Sequence, residues 1–86
     1  MVLDDLIQLI KSRKNGDTNK SYTARLFNQG LEECCKKFGE ESVELIIAAL
    51  NKKDDNLKEE AADLIYHLLV LLEFCNIDFD DILFVL

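Results

Sequence analysis

Residues 31–75 read LEECCKKFGEESVELIIAALNKKDDNLKEEAADLIYHLLVLLEFC, and this stretch decides the fold. It holds no proline, and apolar residues recur at helical spacing on both sides of the polar segment 52–56. The pattern predicts two long helices, over about 31–51 and 57–75, joined by a charged turn. Because that turn is short, we expect the two helices to lie antiparallel as neighbours.

The rest of the sequence predicts shorter helices around this hairpin. They cover residues 2–14, a stretch from a cap at Ser21 or Thr23 to about Gly30, and residues 79–86 after a cap at Asp78. No repeat, low-complexity segment or linker divides the chain. We therefore expect one all-α domain over residues 1–86, built as an antiparallel helical bundle.

Four acidic residues stand at helical spacing within the two long helices. They form an E-x-x-E pair and an E-x-x-D pair: Glu41, Glu44, Glu60 and Asp63. Residues three apart share a helix face, so each pair aims two repelling carboxylates the same way. Antiparallel helices would hold the two pairs at similar height, facing one another. Since carboxylate oxygens suit Mg²⁺ or Mn²⁺ better than Zn²⁺, we predict a metal site here. A solvated charged face is the competing interpretation, because most such pairs in acidic helical proteins are nothing more.

The setting of the acids differs between the two long helices. In the first, an apolar stripe lies on the side opposite the acids: Val43, Ile46, Ile47 and Leu50. In the second, apolar residues surround the acidic face, and a helix that is hydrophobic all round is packed all round. We therefore expect the carboxylates at the rim of a bundle interior rather than on open surface.

Two side chains near the acids are further candidates. Lys37 shares the acidic face, and would bind a phosphate or neutralise Glu41 one turn away. His67 follows Asp63 by one turn. It is either a hydrogen-bonded core residue or a support that orients a metal-binding carboxylate from behind.

The composition favours an oligomer and argues against several kinds of partner. A chain of 86 residues lies near the lower limit for a self-sufficient core, yet 49% of it is hydrophobic, which favours a core shared between subunits. The net charge of -7 argues against a nucleic-acid or anionic membrane partner. An acidic protein can still bind one phosphorylated ligand if it brings metal ions with it.

Local motifs narrow the chemistry and the compartment. The three cysteines, Cys34, Cys35 and Cys75, fit neither a disulfide framework nor a zinc spacing, which indicates reduced thiols in the cytoplasm. The start of the chain lacks a signal-peptide pattern, and the longest apolar run, 64–72, is too short to cross a bilayer. No glycine-rich phosphate loop is present, so metal and side chains must hold any phosphate.

Four segments together resemble a known family. They are Ser21-Tyr22-Thr23-Ala24-Arg25-Leu26, Gly30-Leu31, Lys37-Phe38-Gly39-Glu40-Glu41-Ser42-Val43-Glu44, and the run from Glu60-Ala61-Ala62-Asp63 through Tyr66-His67 to Leu72. In these the chain resembles the phosphoribosyl-ATP pyrophosphohydrolases, which belong to the MazG-like all-α pyrophosphohydrolase superfamily. The acidic pairs alone mark the superfamily, and the other segments make the match specific.

The resemblance implies a homodimer of helical subunits that hydrolyses phosphoribosyl-ATP to phosphoribosyl-AMP and pyrophosphate with Mg²⁺, the second step of histidine biosynthesis. It implies that the four acids, Glu41, Glu44, Glu60 and Asp63, are the metal ligands and catalytic groups. It also implies a substrate site with Lys37, Ser21, Tyr22, Thr23 and Arg25. Two departures from the family are small: the loop before Ser21 lacks a proline, and the apolar end at Leu86 lacks a charged tail, which leaves the natural C-terminus open.

Under this hypothesis the metal ions offset the charge of the triphosphate and acidify a water for in-line attack. Glu41 is then the candidate for the base. Two alternatives remain: a housekeeping enzyme that hydrolyses noncanonical nucleoside triphosphates, and a non-catalytic helical dimerisation module. The Ser21-Tyr22-Thr23 segment favours the biosynthetic enzyme over the first. Carboxylates facing each other inside a bundle have no use in the second.

Overall fold

The computed structural model describes residues 2–86, which fold into five α-helices without a β-strand. These are α1 (Val2–Arg13), α2 (Tyr22–Gln29), α3 (Leu31–Leu50), α4 (Asp54–Phe74) and α5 (Phe79–Val85). The predicted all-α class is confirmed. Most predicted helix ends differ from these by one residue, which is within the usual fraying of a helix terminus.

The second helix begins where its capping residue predicts. Ser21 has extended backbone angles, is buried, and accepts a hydrogen bond on its hydroxyl oxygen from the N–H of Ala24 at 3.1 Å. Of the two candidate caps, Ser21 is therefore the one that the fold uses. Gly30 separates α2 from α3 with a φ of 98°, a region that L side chains rarely adopt.

Helices α3 and α4 form the predicted hairpin, but the fourth helix starts earlier than predicted. It begins at Asp54 rather than Leu57, so the charged turn is confined to residues 51–53. Asp54 and Asp55 lie in its first turn, where negative charge is favourable next to the free N–H groups. The N–H of Leu57 donates to the carbonyl oxygen of Lys53 at 2.8 Å. The charges that suggested a loop thus stabilise a helix start.

The core is small and lies where α1 and α2 pack against α4. Its buried cluster consists of Ile10, Leu26, Phe27, Cys34, Leu69 and Val70. The rings of Phe27 and Phe74 stack at 6.0 Å beside it. Ala48 is fully buried on α3, and its small side chain permits the close approach of the hairpin partner.

The predicted apolar stripe of α3 faces away from this core. Val43, Ile46, Ile47 and Leu50 are 54%, 58%, 52% and 77% exposed, and Ile65 of α4 is 48% exposed. A single chain therefore does not pack α4 on every side, contrary to the expectation from its apolar sequence. Across residues 2–86, every helix is too short or too polar to be a candidate membrane span.

Candidate metal centre

The α3–α4 hairpin gathers carboxylates from both helices. Glu41 of α3 and Glu60 and Asp63 of α4 each place one carboxylate oxygen within 4.8 Å of the others. Glu44 lies beside this trio, because its charge contributes to the raised pKa of both Glu41 and Glu60. Glu41 and Glu60 are half-buried, whereas Glu44 and Asp63 are exposed. The cluster thus sits on the hairpin with two acids turned inward and two turned outward.

The electrostatics of the cluster are unfavourable without a counter-charge. Loss of hydration raises the pKa of Glu41, and the neighbouring Glu44 and Asp63 raise it further. The pKa of Glu60 is raised for the same reasons, with Glu44 as the main charged neighbour. One buried oxygen on each of these two side chains, Oε2, has no hydrogen-bond partner among residues 2–86. Buried carboxylate oxygens without donors are rare and costly, and a bound cation would offset that cost.

A hard divalent cation fits these residues. The donor set is all oxygen, it comes from rigid helices, and its carboxylates repel each other in the absence of a cation. A cation between the helices would contact the oxygens that lack partners and reverse the repulsion. Glu41, Glu60 and Asp63 are close enough to share one ion. Glu44 interacts with two of these three side chains and is the fourth acid at the site.

The start of α2 is hydrogen-bonded to α4 next to the acids. The Tyr22 hydroxyl lies 3.3 Å from Nε2 of His67, and the Thr23 hydroxyl contacts the Tyr66 hydroxyl. Tyr22, Tyr66 and His67 also pack ring against ring at 5.0–6.3 Å. Burial raises the pKa of Tyr22 and of Tyr66, so both phenols stay protonated at neutral pH.

His67 is buried, and its link to the acids runs through the main chain. Its Nδ1 lies 2.8 Å from the backbone carbonyl oxygen of Asp63 rather than from the carboxylate. The sequence suggested either a core role for His67 or a direct contact with a metal-binding carboxylate. The imidazole contacts the backbone of Asp63 rather than its carboxylate. It connects the backbone at Asp63 to the side chain of Tyr22.

The predicted cationic residues surround Tyr22. Lys37 is half-buried, and its ion pair is with Glu40 at 3.7 Å rather than with Glu41. Its charge, like that of Glu41, acts on the Tyr22 phenol. Arg25 lies 5.7 Å from the centre of the Tyr22 ring and donates to the Thr18 carbonyl oxygen at 3.1 Å. Lys37, Tyr22 and Arg25 are thus close to one another, while buried Ser21 serves α2 as its cap.

One contact of the site had no signal in the sequence. Nothing in the sequence identified Thr23 and Tyr66 as partners. The two residues are 43 positions apart, and they meet because α2 docks across α4. A pattern read along one helix does not contain that information.

Comparison with known proteins places the chain among enzymes of one kind. The sequence profile of the phosphoribosyl-ATP pyrophosphohydrolases matches residues 3–86. The phosphoribosyl-ATP pyrophosphatase of Roseobacter denitrificans is 49% identical over 83 residues, 96% of this chain and 79% of the relative. That of Lactiplantibacillus plantarum is 50% identical over 80 residues, 93% of this chain and 76% of the relative. The histidine biosynthesis bifunctional protein HisIE of Campylobacter jejuni is 50% identical over 78 residues, 91% of this chain but 38% of the relative.

Proposed function

The chain belongs to the phosphoribosyl-ATP pyrophosphohydrolase family, and from that premise we propose that it hydrolyses phosphoribosyl-ATP to phosphoribosyl-AMP and pyrophosphate in histidine biosynthesis. The observation that carries the proposal is the carboxylate cluster on the α3–α4 hairpin, with its two buried oxygens that lack partners. A structural protein gains nothing from such a cluster, whereas an enzyme that acts on a phosphoanhydride needs cations there. We also propose that residues 1–86 form one domain that works in the cytoplasm.

The cofactor of this proposal is Mg²⁺, with Mn²⁺ as a substitute. Glu41, Glu60 and Asp63 would hold it together with Glu44, since all four offer oxygen ligands on adjacent helix faces. When bound, the ion supplies positive charge for the triphosphate and lowers the pKa of a coordinated water. Glu41, whose pKa is raised by burial, is the candidate to accept a proton from the attacking water.

The start of α2 supplies the rest of the substrate site in this proposal. Lys37 and Arg25 offer cationic groups for phosphates next to the exposed Tyr22 ring. Thr23 and Ser21 keep that segment in place through Tyr66 and the helix cap. His67 supports both the Asp63 backbone and Tyr22.

The outward stripe of α3 is the basis for proposing a homodimer. Four aliphatic side chains in a row, each more than half exposed, present an apolar surface at helical spacing: Val43, Ile46, Ile47 and Leu50. A second copy that packs along this stripe would bury it and form an additional apolar core between the subunits. Sedimentation equilibrium of the wild type and of Ile47→Glu tests the dimer. We expect a dimer for the first and a monomer for the second, and a monomeric wild type would contradict it.

Pyrophosphate release is the direct test of the function. Purified protein is incubated with phosphoribosyl-ATP and Mg²⁺, with and without EDTA. We expect metal-dependent release of pyrophosphate and formation of phosphoribosyl-AMP. A panel of deoxynucleoside triphosphates assayed in parallel identifies the housekeeping activity if they are preferred. Absence of both pyrophosphate release and calorimetric Mg²⁺ binding would support the non-catalytic module instead.

A further inference from the structure

Both ring nitrogens of His67 have a defined partner, and this fixes the position of its proton. Nδ1 faces the Asp63 carbonyl oxygen at 2.8 Å, and a carbonyl oxygen can only accept a hydrogen bond. Nδ1 therefore carries the N–H. In the neutral ring Nε2 is then a bare acceptor, so the Tyr22 hydroxyl, 3.3 Å away, must donate to it.

We propose that His67 positions Tyr22 to meet the substrate as a hydrogen-bond acceptor, which selects a sugar hydroxyl rather than a phosphate. A phenol has one proton, and His67 uses it, so the oxygen of Tyr22 has lone pairs left to offer. Phosphate oxygens also only accept at neutral pH and cannot pair with it. A ribose hydroxyl can donate to it. The inference rests on the proposed function, since phosphoribosyl-ATP offers both kinds of group.

The surroundings of Tyr22 suit a site in which Tyr22 accepts from a sugar hydroxyl and cationic side chains bind phosphate. Tyr22 as a whole residue is 43% exposed, so a ligand can reach it although its hydroxyl is hydrogen-bonded to α4. Lys37 and Arg25, which are donors only, lie next to the same ring and are the groups suited to phosphate. Tyr22 therefore adds the one kind of contact that its cationic neighbours cannot make.

A second hydrogen bond makes the role of His67 testable apart from folding. Thr23 follows Tyr22 in the sequence, and Tyr66 precedes His67. The contact between the Thr23 and Tyr66 hydroxyls joins α2 to α4 independently of the Tyr22–His67 hydrogen bond. Replacing His67 should change the partner of Tyr22 without releasing the start of α2. Far-UV circular dichroism and the melting temperature of each variant test whether the fold persists.

Nuclear magnetic resonance reads the proton position directly, because His67 is the single histidine of the chain. Long-range ¹⁵N–¹H correlation spectra of the wild type, free and with phosphoribosyl-AMP, distinguish the two neutral tautomers. We expect the proton on Nδ1 in both states. A proton on Nε2 in either state would overturn the inference, since the Tyr22 hydroxyl would then be free to donate to a phosphate.

Binding measurements test the choice of ligand group. For Tyr22→Phe we expect the Kd of phosphoribosyl-AMP to rise about three- to tenfold, the worth of one neutral hydrogen bond, and that of magnesium tripolyphosphate to stay within about twofold. His67→Asn, which can still reach the Asp63 carbonyl oxygen but not Tyr22, should behave like Tyr22→Phe. His67→Gln, whose amide oxygen can stand in for Nε2, should restore tighter binding.

The contrary results are equally clear. Equal weakening of tripolyphosphate and phosphoribosyl-AMP by Tyr22→Phe would show that the phenol donates to phosphate, and no weakening of either would show that it contacts neither. Both would overturn the inference. If the wild type releases no pyrophosphate, the proposed function fails. The tautomer of His67 and the Kd values of phosphoribosyl-AMP and magnesium tripolyphosphate still test the role of the Tyr22 hydroxyl in that case.

Discussion

Helix α4 carries two partly buried glutamates with opposite surroundings. Near its C-terminal end, Glu73 has a side chain only 16% exposed and accepts from Lys11 Nζ at 2.8 Å, with Lys14 Nζ at 3.9 Å. Near its N-terminal end, Glu60 is half-buried beside three other acids, and its Oε2 has no partner. Within residues 2–86, the fold thus supplies two lysines to Glu73 and none to Glu60. A carboxylate that serves the fold is paired, and one left unpaired is available to an external cation.

The largest expected effect comes from removing a charge at the unpaired end. Asp63→Asn and Glu44→Gln each keep the shape of the side chain, so the fold should persist, but each removes a proposed cation ligand. We expect pyrophosphate release to fall roughly 100- to 1,000-fold, which corresponds to several kcal/mol of lost charge stabilisation. The matched control is Glu73→Gln, which should keep nearly full activity. Wild-type turnover of either variant at saturating Mg²⁺ would refute the ligand assignment.

The next effect is the response of stability to the metal. A ligand that binds only the folded state at one hundred times its Kd stabilises by about 2.7 kcal/mol. Urea titrations with Mg²⁺ or with EDTA should differ by about this amount for the wild type. NaCl of equal ionic strength is the control for simple screening of the acids. Glu60→Gln should lose most of the Mg²⁺ effect, and an undiminished response would place the ion elsewhere.

The difference between the two ends also explains what the sequence could predict. The hairpin, the two acidic pairs and the Ser21 cap follow from spacing within ten or twenty residues, which helical periodicity determines locally. The Lys11–Glu73 bond joins residues 62 positions apart, and it depends on how α1 docks on α4. Local spacing therefore identified the acidic cluster of α3 and α4. It did not identify Glu73 as the acid that pairs with Lys11 and Lys14.

Where local rules compete, the sequence alone was misleading. The charges of Asp54 and Asp55 indicated a turn, yet the same charges stabilise a helix start, and the helix prevailed. Lys37 has Glu40 and Glu41 at the two favourable helical spacings, and the ion pair forms with Glu40. The apolar stripe of α3 lies on the predicted side, opposite the acids, and it is exposed because the buried core forms on another side of the hairpin.

A smaller effect is expected from breaking the paired end. Glu73→Gln removes the ion pairs with Lys11 and Lys14 while it keeps the side-chain volume. Because Lys11 is 38% exposed, water screens the bond, and we expect a loss of about 1 kcal/mol in the free energy of unfolding. Urea denaturation measures it, with Glu40→Gln on exposed α3 surface as a control that should cost less. No loss in Glu73→Gln would mean that the close pairing is energetically neutral.

The smallest effect is the pH dependence that the unpaired acids give the metal-free protein. The folded-state pKa of Glu41 and of Glu60 is raised, first by lost hydration and then by the neighbouring acids, so the folded state holds these protons more tightly than the unfolded chain. Proton binding to these two glutamates therefore stabilises the folded state, and this stabilisation is fully present below the ordinary glutamate pKa. It is lost as the pH rises through the raised pKa values of the folded state. In EDTA, the Tm of the wild type relative to a Glu41→Gln, Glu60→Gln double variant should fall as the pH rises above about 4.5, the ordinary glutamate value. If the Tm of the wild type instead rises relative to that of the double variant as the pH increases, these carboxylates already have a favourable partner within the protein.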